Sequence, residues 1–81
     1  MHERSFVDRL ASAVRDRRQK LGLRQVELAE LARCSTRFIH TIEAGKPTLR
    51  LDKLLAVLEV LGIRLELAGF AESSSVQGGG Q

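Results

Sequence analysis

The sequence predicts an all-α fold of four or five short helices with one β-strand near its C-terminal end. Three observations carry this. Leu, Ala, Val and Ile supply nearly all the apolar residues of an 81-residue chain that has one proline, three Phe and no Trp or Tyr, so the core must be aliphatic. Apolar residues recur at helical spacing in four segments, three of them followed by a glycine. One segment, IRLEL (Ile63 to Leu67), alternates apolar and charged residues instead, the pattern of a half-buried strand. The length suits one small domain, here 1–70, followed by a tail 71–81 (AESSSVQGGGQ) whose Ser, Gly and Gln carry no periodicity and are expected to be disordered.

The first helix is expected from Ser5 to Leu21. Ser5 suits the N-cap, with Asp8 three residues on where a capping box wants an acid. Phe6, Leu10, Val14 and Leu21 mark its packing face, with Ala13 beside them, and RDRRQK (Arg15 to Lys20) marks the other. Gly22 closes it. QVELAELA (Gln25 to Ala32) is the second helix, packing through Leu28, Ala29, Leu31 and Ala32. Ala29 is small enough to let another helix cross close by. After the tight connection Arg33-Cys34-Ser35, the third helix starts with Ser35 or Thr36 as cap, runs to Glu43 or Ala44 and stops at Gly45.

LDKLLAVLEVLG (Leu51 to Gly62) is the fourth helix, with Arg50 at its cap position and Thr48 as the alternative start. Leu51, Leu54, Leu55, Leu58 and Leu61 form one stripe, and Val57 and Val60 a second that a small core cannot easily use. The lone strand IRLEL leaves backbone groups unpaired. Both surpluses point to a homodimer. Paired antiparallel about a two-fold axis at Leu65, each Arg64 would face the mate's Glu66. The dimer interface is therefore expected at Val57, Val60, Leu61, Ile63, Arg64, Leu65, Glu66 and Leu67.

Charge divides the chain. Residues 1–50 hold eleven Lys/Arg against six Asp/Glu, and residues 51–81 hold two against four. The basic half suits a polyanion, although a solvated helix face would also be Arg-rich. No apolar run approaches a membrane span, and Asp8-Arg9 interrupts any signal-peptide pattern after Val7, so a cytoplasmic protein is expected. Cys34, alone, suits a small buried hydrophobe. No catalytic residue, metal site or cofactor is expected: one Cys cannot build a metal finger, His2 and His40 are far apart, and neither a phosphate-binding glycine loop nor a nucleophile–base pair is visible.

Two short helices joined by a tight turn, with a small residue in the first and a Ser/Thr cap on the second, suggest a helix-turn-helix. The run LGLRQVELAELARCSTRFIHTIEAGKP resembles that motif in the phage-repressor (Cro/cI, or XRE) family, through Leu21, Gly22, Leu23, Gln25, Leu28, Ala29, Ser35, Ile39, Ile42, Glu43 and Gly45. The resemblance covers residues 6–62. With Leu28, Ala29, Cys34, Ile39 and Ile42 in the core, Thr36, Arg37, His40 and Thr41 are left outward. Their donors, acceptors and methyls suit base edges in the major groove of double-stranded DNA. The resemblance implies base contacts at Thr36, Arg37 and Thr41, a backbone contact at Gln25, and a structural pair between Arg18 and Glu43. Arg24, Lys46 and Arg50 flank the same side as phosphate candidates, and Ser35 joins them at the start of the third helix. Two departures stand out. Arg24 replaces the usual N-cap Thr of the second helix, and Arg33 replaces the usual turn Gly, which is costly if that residue must be left-handed.

The segment GKPTLRLDKLLAVLEVLGIRLEL resembles HipB-like antitoxins, especially the branch labelled Y4mF. That resemblance implies a repressor of its own operon that binds a palindromic operator as a dimer and complexes a HipA-like Ser/Thr kinase toxin. A stand-alone regulator of the same fold and a pure protein-interaction module are the alternatives.

Overall fold

A computed structural model of the chain describes residues 5–47 and 50–69. It contains four helices: α1 (Phe6–Lys20), α2 (Gln25–Ala32), α3 (Thr36–Glu43) and α4 (Leu51–Leu61). Three of the four starts are fixed by a local side-chain bond. The Ser5 hydroxyl accepts from the Asp8 N–H, and the Ser35 hydroxyl accepts from the Phe38 N–H. Arginine has no acceptor to offer at an N-cap, so at α2 the bond runs the other way: Glu27 accepts the Arg24 N–H at 2.8 Å. Arg50 precedes α4 without a side-chain cap, its guanidinium lying against Asp52 instead. Thr48, the alternative start, and the tail 71–81 lie outside the described residues.

The four helices end alike. The two residues after each last turn donate backward to its carbonyls, as Arg33 and Cys34 do to Glu30 and Ala29. This closure needs one residue of left-handed backbone. Gly22, Gly45 and Gly62 provide it at three ends, and Arg33, at φ 61 and ψ 46, provides it at the fourth. The cost foreseen for Arg33 is thus incurred in the middle of the motif.

The core is Val14 from α1, Leu28, Ala29 and Ala32 from α2, Ile39 and Ile42 from α3, and Leu54, Val57, Leu58 and Leu61 from α4. Leu10, Leu23, Cys34, Phe38, Val60 and Ile63 pack on its edge. Several expected faces are rotated. In α1 the buried pair is Ala11 and Val14, while Phe6, Ala13 and Leu21 are exposed. Leu31, expected to pack, is 58% exposed, and Leu51 and Leu55 also face outward. Val57 and Leu61, expected at a dimer interface, are 0% and 1% exposed within the single chain. They have no surface left to offer a partner, and the second apolar stripe of α4 is largely used by α2, with α1 beside it. The assignment of these two residues to the interface is corrected accordingly. α4 packs chiefly on α2 and also against α1, so a wider arc of it is covered than an amphipathic surface helix needs.

Residues 63–69 form no strand within the chain. Leu65 and Leu67 are exposed there, Leu67 fully so, and Arg64 and Glu66 approach each other at 3.7 Å on the surface. The pairing expected for IRLEL is with a second chain.

Candidate nucleic-acid interface

The site begins with α3. Its apolar residues Ile39 and Ile42 point into the core, with Phe38 on the edge. Helical residues step by about 100°, so Thr36, Arg37, His40 and Thr41 fall within one arc of about 140° on the other side. Thr36, Arg37 and His40 are exposed and Thr41 is half-buried at the edge of that arc. The four residues expected to face outward thus form one continuous polar strip. No ion pair among the described residues engages Arg37 or Lys46.

Glu43 fixes the far end of α3. Its side chain is 5% exposed, and Arg18, at 12%, meets it through two bonds, Nε to Oε2 at 2.6 Å and Nη2 to Oε1 at 2.9 Å. Arg18 also donates through Nη1 to the Leu23 carbonyl at 2.9 Å. One guanidinium therefore holds α1, the loop into α2 and the end of α3. This fork geometry is particular to arginine. Burial works against the charge on Glu43. The hydrogen bonds from Arg18 and Gln25 together outweigh it, and the carboxyl stays below its ordinary value of 4.5. The same bond, donated to Glu43, raises Arg18.

Gln25 contributes to this network. Its amide donates to Glu43 Oε1 at 3.1 Å, so one of the two N–H groups of the expected phosphate contact is turned inward and the other is left over. Ser35 uses its hydroxyl oxygen as the α3 cap. Arg24 leans on Glu27 at 3.4 Å with both side chains open to solvent, a pair that a phosphate could displace cheaply. Lys46 is exposed just past α3, and Arg50 is exposed but held by Asp52. Burial pushes the Cys34 thiol up, which suits a packing residue rather than a reactive one.

Two features escaped the sequence reading. Glu27 caps α2 from its third position, a role visible in the spacing Arg24 to Glu27 once the cap residue is known to lack an acceptor. Arg17 Nε donates to the Leu61 carbonyl at 2.8 Å across 44 residues of sequence. Nothing in an Arg-rich run marks which member will do this. Among the described residues no His, Cys, Asp and Glu cluster could hold a metal, and no helix is long and apolar enough to cross a membrane.

Two short helices at a tight turn, the second presenting an open polar strip from a rigidly held backbone, place the molecule in the DNA-binding helix-turn-helix class. The chain belongs to the helix-turn-helix domain family, whose model matches residues 9–68. A relative in Sinorhizobium fredii (strain NBRC 101917 / NGR234), described as the uncharacterized HTH-type transcriptional regulator y4mF, is 43% identical over 58 residues, 72% of this chain and 76% of that protein. Among solved structures, the clp gene regulator ClgR from C. glutamicum superposes with a TM-score of 0.66 at 29% identity, over 76% of this chain and 80% of that one. A chain of the HipA-HipB-O2-O3 complex gives 0.70 at 23% identity, over 85% and 97%, a likeness of fold alone.

Proposed function

We propose that the protein is a transcriptional repressor that binds a palindromic operator as a homodimer, reading bases with Thr36, Arg37, His40 and Thr41. The observation that carries this is the strip itself: four adjacent polar side chains on a helix whose opposite face and far end are locked by Ile39, Ile42 and Glu43. A recognition helix needs both halves of that arrangement, because loosely held donors forfeit their selectivity to reorganisation. Arg24, the remaining N–H of Gln25, Ser35, Lys46 and Arg50 then serve the sugar–phosphate backbone and fix the register. Residues 63–67, with Val60 at their base, pair with those of a second copy and set two reading helices on one duplex.

The finer reading is an antitoxin that represses its own operon and holds a HipA-like kinase toxin. It is supported by the resemblance of residues 45–67 to HipB-like proteins and by the shared fold of a chain in a HipA-HipB complex. A stand-alone regulator is the second reading, favoured by the likeness to ClgR, named as a gene regulator. Footprinting over the protein's own upstream DNA tests the first statement: two-fold symmetric protection is expected, and its absence there removes autorepression. Co-purification with a kinase-sized partner from the native host separates the two finer readings, since a stand-alone regulator brings none down.

A further inference from the structure

Arg17 and Arg18 are neighbours in the last turn of α1 and reach in different directions. Arg18 grips the reading head through Glu43 at the end of α3 and the Leu23 carbonyl before α2. Arg17 grips the end of α4 through the Leu61 carbonyl. That carbonyl belongs to the last turn, where the helix has no onward amide to offer it. α4 carries no basic residue in its own last turn, so α1 supplies the cation that this negative helix end favours. The guanidinium also lies against Gly62, the left-handed residue at which the chain turns out of α4: a Cβ there would sit 3.7 Å from Arg17 Nη2.

The two helices run in the same sense, because Phe6 and Leu51 lie together at their starts while Arg17 and Leu61 meet at their ends. At the starting end an apolar depression of about 220 Å³, lined by residues including Phe6, Val7, Leu10 and Leu51, stands between them. Packing is therefore open at one end of the α1–α4 pair, and the Arg17 bond closes the other.

We propose that Arg17 and Arg18 form a two-sided clamp that fixes the direction of residues 63–67 relative to α3, and so sets the separation of half-sites that the dimer accepts. Arg17 is then a positioning residue for specificity that touches no base. The inference rests on the dimeric reading above. Its physical basis is that consecutive residues of one helical turn anchor both ends of the connection. Rotating the reading head against the dimer segment must break a charge-assisted hydrogen bond on one side or the other.

The test uses the full chain and its footprinted operator, remade with one or two base pairs added to or removed from the centre, together with a duplex holding one half-site. Wild type is expected to lose affinity by about tenfold or more for each altered spacing, because protein or DNA must deform to match. In Arg17→Met, which keeps the apolar stem and loses the donor, that penalty is expected to shrink to about twofold, while one half-site is bound within about twofold of wild type. Arg17→Gln, too short to reach Leu61, is expected to behave likewise and decides the matter should the first variant not fold. An unchanged spacing profile in the folded variant overturns the clamp. So does an equal loss on the single half-site, since that marks general damage to the head. If wild type itself shows no preference for paired half-sites, the dimeric reading fails and takes the clamp with it.

Discussion

Glu43 shows how much one residue decides in a domain this small. Its carboxylate is nearly inaccessible and bound by Arg18 and Gln25, so removing either charged partner leaves the other buried without compensation. Glu43→Ala or Arg18→Met is expected to cost about 3–5 kcal/mol, measured by urea unfolding. The pH dependence has a definite sign. Glu43 sits below its ordinary 4.5 in the folded chain, so the unfolded chain takes up that proton first. The stability it contributes is present above about pH 4.5 and is lost as the pH falls through the folded-state value. An acid titration of wild type should therefore show a loss that Glu43→Gln lacks; parallel curves would contradict it. Arg33 is the opposite case, a residue that costs stability where it stands. Its left-handed backbone suits glycine, and Arg33→Gly is expected to raise stability by about 1 kcal/mol in the same urea assay.

At the scale of the element, α3 separates reading from positioning. Arg37→Ala should cost about 1–3 kcal/mol on the specific operator and relax preference at one base pair, whereas Lys46→Ala should weaken all DNA alike and lower the salt slope by about one. Competition binding across operator variants at two salt concentrations distinguishes them. If Arg37→Ala leaves sequence preference intact, Arg37 is not a base reader. The end of α3 is equally specific. A Cβ on Gly45 would lie 3.0 Å from Asp8 Oδ1 on a backbone of φ 75, so Gly45→Ala should destabilise the fold by about 1–2 kcal/mol, seen as a lowered Tm.

At the scale of the molecule, the question is what covers the segment after α4. Leu65 and Leu67 are exposed, and Arg64 and Glu66 pair with each other at the surface, a contact of little energy. In the proposed dimer each finds the opposite charge across the strand pair. Arg64→Glu should therefore weaken self-association, and Arg64→Glu combined with Glu66→Arg should restore it, as read by sedimentation equilibrium. Failure of the double exchange to restore association would move the interface elsewhere. Other exposed apolar residues among those described, Phe6, Leu21, Val26, Leu31, Leu51 and Leu55, are spread over α1, α2 and α4, and such exposure is ordinary on a small domain.

The four helices, the glycine ends of three of them and the outward strip on α3 were legible in the sequence, and the family resemblance added the Arg18–Glu43 pair. Each of these rests on spacing: helical period, a cap residue, a motif in which every offset has a mechanical reason. Which apolar residues are buried depended instead on how the helices pack. Leu31 and Val57 look alike in sequence, but α4 packs on α2 and α1 so that Val57 is buried and Leu31 stays in solvent. Such packing is set by side chains from more than one other helix at once, and no window of one helix contains that information. The tertiary structure also separated Arg17 from its neighbours. The run of cations was plain in the sequence, but the carbonyl that Arg17 meets comes from 44 residues away and becomes a partner only when α4 ends beside α1.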